Sequence, residues 1–109
     1  MLYHYRAEVV RVVDGDTVVM DVDLGFSIKR REKLRLKYIN APELSTDAGP
    51  AAKDFLAGIL AGKEIEIETT KDALDKYGRM LAVIWASEPG KSQVNVNQAM
   101  LDTGHATRY

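Results

Sequence analysis

The 109-residue chain is 46% hydrophobic and 28% charged, with a formal charge of −1 and no cysteine. That balance excludes a disordered or fibrous chain, and the length is too small for two separately cored domains. Without cysteine there is no disulfide framework, thiolate zinc site or cysteine nucleophile, and no apolar run reaches the roughly 20 residues of a membrane-spanning helix. One domain over residues 1–109, with no membrane association, is the expectation.

Met1 to Val10 mixes His4, Arg6 and Glu8 among its apolar residues, so it does not read as a signal peptide. Location stays open between the cytoplasm and secretion after processing. Tyr3 to Val13 is rich in β-branched and aromatic residues and predicts a strand. Asp14-Gly15-Asp16 ends it with hairpin chemistry, and Thr17 to Leu24 returns as a second strand. Gly25 to Arg31 predicts an exposed hairpin tip. Lys33 to Ile39 predicts a third strand, with Leu34, Leu36 and Tyr38 on a buried face opposite Arg35 and Lys37. Asn40-Ala41-Pro42 breaks that strand, because proline cannot donate to a ladder.

Pro50 to Ala61 changes period: Ala52, Phe55, Leu56, Ile59 and Leu60 fall at helical spacing, with Gly62 as the stop. Ile65 and Ile67 alternate with glutamates as a fourth strand. Met80 to Trp85 is an apolar run that predicts a deeply buried fifth strand, with Trp85 packing in the core. Asn95 is placed to cap a short second helix that ends at Gly104. The order β-β-β-α-β-β-α predicts an α+β fold: a five-stranded OB-fold barrel with a helix between strands 3 and 4 and a second short C-terminal helix.

Charge is distributed unevenly. Asp14, Asp16, Asp21 and Asp23 precede a basic stretch of Lys29, Arg30, Arg31, Lys33, Arg35 and Lys37. A solvated hairpin face explains such a run, and so does a site where acids hold a cation and bases hold a phosphate. Three segments place polar residues at strand ends: Asp14 to Thr17, Arg35 to Glu43, and Asp75 to Arg79.

Together these segments resemble the staphylococcal nuclease (thermonuclease) family. The matching pieces are V-D-G-D-T-V at Val13 to Val18, R-L-K-Y-I-N-A-P-E at Arg35 to Glu43, and D-K-Y-G-R at Asp75 to Arg79. A fourth, V-N-Q-A-M-L-D-T-G-H-A at Val96 to Ala106, follows in the family's order. The resemblance implies an OB-fold nuclease that uses calcium to hydrolyse phosphodiester bonds in DNA or RNA, without sequence preference, leaving 3′-phosphate ends. Carried over position by position, it implies Asp16 as a direct calcium ligand, Asn40 at the second side-chain ligand position and the Ala41 carbonyl as a third. Asp14 would lie just behind those ligands. Glu43 would be the general base, Arg35 and Arg79 would grip the phosphate, and Lys76 and Tyr77 would touch a bound nucleotide. A monomer acting on nucleic acid, with no obligate protein partner, is the corresponding expectation.

The residue types suit these roles. Calcium prefers hard oxygen ligands, and an arginine fork makes two hydrogen bonds to one phosphate where lysine cannot. The chain departs from the family at Asn40, where an aspartate is usual. A carboxamide oxygen can still ligate calcium but brings no charge, so another divalent metal, or a barrel that binds nucleic acid or protein without cleaving, is the alternative.

Overall fold

A computed structural model describes residues 2–74 and 79–109. Five long strands build the barrel: β1 (Leu2–Asp14), β2 (Thr17–Asp23), β3 (Lys29–Leu36), β5 (Glu64–Leu74) and β6 (Met80–Ser87). They run in the order β3-β2-β1-β5-β6, and a parallel pairing of Leu34 to Leu36 with Met80 to Ala82 closes the sheet on itself. This is the α+β, OB-type barrel that the element order predicts.

The long first strand makes closure possible. Its pairing with β2 shifts register between Val9 and Arg11 and again between Val12 and Asp14. Bulges of this kind bend a strand and increase its twist. The first half of β1 can therefore pair with β5, from Leu2 opposite Thr70 to Ala7 opposite Ile65, while the second half pairs with β2.

Alternation along the strands then fills the interior. Val18, Met20, Leu34, Leu36, Ile67 and Ile84 are all almost fully buried, each worth about 1.5–3 kcal/mol of burial. Helix α1 (Ala48–Leu60) plugs one end with Ala52, Leu56 and Leu60. Helix α2 (Val96–Asp102) adds Val96 and Met100, and its cap is the expected one: the Asn95 side chain accepts the Gln98 N–H at 3.1 Å. No helix among the described residues is long and apolar enough to cross a membrane.

The third strand differs from expectation. It begins at Lys29 rather than Lys33, in register with β2 from Asp23 opposite Lys29 to Thr17 opposite Arg35. The hairpin tip is correspondingly short, with Leu24 and Ile28 bonded across it and Phe26 almost wholly exposed at a φ of 53°. The charges at its base are paired: Lys29 with Glu8 at 3.5 Å, Arg30 with Glu32 at 2.6 Å and Arg31 with Asp21 at 2.9 Å. The Arg31 hydrogen bond holds the Asp21 carboxyl below its ordinary range. For these three cations the solvated-face explanation is the right one.

At its other end β3 stops at Leu36, and Tyr38 is not on the buried face. It occupies a left-handed turn at a φ of 71° and is 59% exposed. The chain re-enters as β4 (Ile39–Asn40), which pairs with β8 (Thr107–Arg108), while β7 (Val94–Asn95) extends the sheet beyond β6. Two-residue strands carry no period to read, and the partners β4 and β8 lie far apart in sequence. Buried Asn97 locks this corner: its Nδ2 donates to the carbonyls of Lys37 at 2.8 Å and Ala82 at 3.0 Å, and its Oδ1 accepts the Ile84 N–H at 3.0 Å. The fifth strand also departs from the expectation of full burial. Ala82, Ile84 and Ala86 face inward, whereas Trp85 stands half-buried on the outer face, paired with Glu66 and Asn95, and is not part of the core.

Candidate active site

The turn between β1 and β2 brings the first acids into place. Asp14 Oδ1 accepts the Asp16 N–H at 3.0 Å, closing a tight loop around Gly15. A Cβ on Gly15 would lie 2.7 Å from the Ala41 Cβ and 2.8 Å from the Ala52 Cβ, so only glycine lets this turn seat against both β4's exit and α1. Seated there, Asp16 Oδ2 accepts the Ala41 N–H at 2.9 Å. Asp16 and Ala41, expected as neighbours in one site, are neighbours.

Arg35 closes the other side. Its guanidinium is buried, with Nη1 donating to the carbonyls of Leu36 at 2.8 Å and Ile39 at 2.9 Å, and Nη2 to Asn40 Oδ1 at 3.3 Å. Nη2 also lies 3.4 Å from Asp16 Oδ2. Arg35 therefore holds the β3–β4 turn together as well as facing the site. Arg79 arrives from the start of β6, and its Nη1 donates to Thr17 Oγ1 at 3.1 Å. Thr17 in turn donates to Asp16 Oδ1 at 3.0 Å.

Apart from buried Thr17, these side chains line one open cleft of about 600 Å³. It contains Asp14, Asp16, Arg35, Asn40, Ala41, Glu43 and Arg79, so seven of the nine residues expected to carry function share it. The remaining two, Lys76 and Tyr77, lie outside the described residues. Glu43 sits exposed at the lip, on a turn fixed by Thr46, whose N–H and hydroxyl both donate to the Glu43 carbonyl. Two cleft residues, Tyr38 and Tyr109, and the buried Thr17 behind the cleft were given no role from sequence. Thr17 links Asp16 to Arg79. Tyr38 and Tyr109 form the rim, with the Tyr109 ring 5.8 Å from the Arg35 guanidinium carbon. Thr17 follows the Asp-Gly-Asp turn directly, which is the signal that could have flagged it. Tyr109 is delivered by β8, which no pattern reveals.

Burial and the neighbouring Asp14 push the Asp16 carboxyl above its ordinary pKa, against the Ala41 N–H and Arg35, which pull it down. A buried carboxylate whose surroundings do not fully compensate it suits a cation. The groups that the resemblance implies as ligands are all hard oxygens, and the residues carrying them line this one cleft: the Asp16 carboxylate, the Asn40 carboxamide and the Ala41 carbonyl. That set fits calcium or a similar hard divalent ion, and not a nitrogen- or sulfur-preferring metal. Among the described residues there is no cluster of three or more acids and histidines that could hold a metal by themselves.

A family profile described as staphylococcal nuclease homologue matches residues 33–109. The chain belongs to that family. Among similar proteins are one named ParB from Escherichia coli, 38% identical over 109 residues, covering 95% of this chain and 57% of that protein. Another is a micrococcal nuclease from Shigella flexneri, 34% identical, covering 96% of this chain and 59% of the relative. A thermonuclease from Staphylococcus hyicus is 31% identical, covering 94% and 59%. This chain thus spans a little under three-fifths of the length of these relatives. The profile takes in Arg35, Asn40, Glu43 and Arg79, while Asp14 and Asp16 lie before it.

Proposed function

We propose that this chain is a metal-dependent nuclease domain that hydrolyses phosphodiester bonds in DNA or RNA and leaves 3′-phosphate ends. The observation that carries the reading is the convergence of Asp16, Arg35, Arg79 and Glu43 on one open cleft. A substrate phosphate there meets two guanidinium groups, one of them rigidly braced by backbone carbonyls. Preorganised cations of this kind stabilise the charge that grows on phosphoryl oxygens in the transition state. Glu43 accepts a proton from the attacking water, whose oxygen bonds to phosphorus as the bond to the 5′ oxygen breaks, and the departing 5′ oxygen takes a proton from solvent in the open cleft to leave as a hydroxyl. Thr17 keeps Arg79 and Asp16 in fixed relation. Asp16, Asn40 and the Ala41 carbonyl would hold a calcium ion, which supplies further neutralisation of phosphoryl charge when bound.

A second reading, a barrel that binds nucleic acid without cleaving it, is favoured by one feature. The Asn40 oxygen brings no charge and is already engaged by Arg35 at 3.3 Å. Digestion of single-stranded DNA with calcium, magnesium, manganese or chelator separates the two. Cleavage that requires metal and disappears in Arg79→Ala supports the nuclease. Salt-sensitive binding with no cleavage under any metal supports the binding module, since phosphate contacts weaken steeply with salt.

A further inference from the structure

Tyr38, like Phe26 at the hairpin tip, is an exposed aromatic residue in a left-handed conformation, and of the two it is Tyr38 that lines the cleft. Its φ of 71° lies in the left-handed region, where glycine is at ease and a bulky L side chain is disfavoured. The corner demands that conformation: the carbonyls of Leu36 and Ile39, on either side, both converge on Arg35 Nη1. Glycine would make the same turn without strain. The tyrosine ring returns little to the core, because it is 59% exposed and stands outside the buried cluster. Strain kept at a cleft rim, in a residue that does not pack, points to use of the side chain.

The surroundings say what for. The ring lines the cleft, with the Lys37 ammonium 4.9 Å from its centroid. Its carbonyl accepts the Tyr109 N–H at 3.0 Å, and Ile39 beside it is fully buried, so the ring stands on a fixed post. Three residues before it, Arg35 presents a braced cation to the same cleft. An aromatic face beside a cation, next to a phosphate-gripping arginine, matches the repeating chemistry of a nucleic-acid strand: base, then phosphate. We infer that Tyr38 is a base-stacking platform, holding an unpaired base of single-stranded nucleic acid next to the phosphate gripped by Arg35. The inference rests on the nuclease reading and names the form of substrate the cleft accepts.

The test measures anisotropy of a fluorescein-labelled eight-nucleotide oligothymidylate in chelator at low salt, alongside an abasic strand of the same length. Stacking on an aromatic ring is commonly worth 1–3 kcal/mol per base, so Tyr38→Gly is expected to weaken oligothymidylate binding by about tenfold. Tyr38→Phe should stay within about twofold, since the ring remains. The melting temperature of Tyr38→Gly should be unchanged or higher, because glycine relieves the turn. Wild type should bind the abasic strand as weakly as the glycine variant binds oligothymidylate. In turnover assays the glycine variant should raise KM and leave kcat in place. Equal binding of oligothymidylate by wild type and Tyr38→Gly overturns the inference and leaves the nuclease reading standing. So does an equal loss on both strands, which would mean that the residue acts through the fold or the phosphate. If wild type binds neither strand, the inference fails, and the metal-dependent cleavage assay decides the nuclease reading separately.

Discussion

Replacing Arg35 with alanine should do two separable kinds of damage. The guanidinium is buried, ties the Leu36 and Ile39 carbonyls at 2.8 and 2.9 Å, and stands 3.4 Å from the buried Asp16 carboxylate. Each hydrogen bond from a charged donor is worth roughly 1.5–3 kcal/mol, and removing one partner of a buried pair costs about 3–5 kcal/mol. The cleft is open, so water can reach part of the vacated space, and the lower end of that range applies: about 3 kcal/mol. For a domain of this size that corresponds to a fall in melting temperature of about 12 °C or more. Arg79→Ala is the contrast, since that side chain is half-buried at the cleft and its bond to Thr17 reaches a hydroxyl with another partner. Loss of that bond to a neutral hydroxyl should by itself cost about 0.5–1.5 kcal/mol. Both variants should lose about 100-fold or more in metal-dependent cleavage. Urea or thermal unfolding followed by circular dichroism, run beside the cleavage assay, separates the two effects. An Arg35→Ala protein as stable as wild type would refute the claim that this side chain braces the turn.

Gly15→Ala should cost about 1–3 kcal/mol by overpacking against Ala41 and Ala52, and calorimetry should show weaker cation binding as Asp16 is displaced; an unchanged melting temperature would mean that the turn does not pack as described. Asn40→Asp should tighten calcium binding by about tenfold even though Arg35 competes for the new carboxylate; no gain by calorimetry removes Asn40 from the ligand set. Asp21→Asn should lower stability slightly at neutral pH, because Arg31 depresses the folded pKa of Asp21. The contribution is present above the unfolded value and is lost as pH falls through the lower folded one. Denaturation from pH 7 to below 3 should therefore show the wild-type advantage vanishing at the acid end, and high salt should shrink it at pH 7, since the pair is exposed.

Much of the barrel is legible in the chain because its long elements are periodic. Alternation of Ile65 and Ile67 with glutamates marks β5 as a strand, the 3.6-residue spacing of Ala52, Leu56 and Leu60 marks α1, and Asn95 and Gly104 punctuate α2 as their side-chain chemistry demands. The Asp-Gly-Asp turn, the two arginines and the Asn-Ala-Pro-Glu break are likewise visible as local chemistry at strand ends. Periodicity misled at two places. Tyr38 continues the alternation of Leu34 and Leu36 on paper, yet the chain turns there because Arg35 and Asn97 draw the neighbouring carbonyls inward. Trp85 looks like core because its whole segment is apolar, but the closure of β3 on β6 decides which face of that strand is inside.

What the sequence determined by itself was therefore the set of long elements, their order and the identities of the groups able to do phosphate chemistry. These depend on contacts within a turn or two of chain. The tertiary structure alone decided which of those groups meet. Asp16 reaches the Ala41 N–H across 25 residues and Arg79 reaches Thr17 across 62. Such pairings exist only once the barrel closes and bring strand ends, distant in the chain, to one cleft. The paired hairpin cations and the strained, outward Tyr38 belong to the same class: their partners and backbone geometry are set by neighbours that no local pattern names.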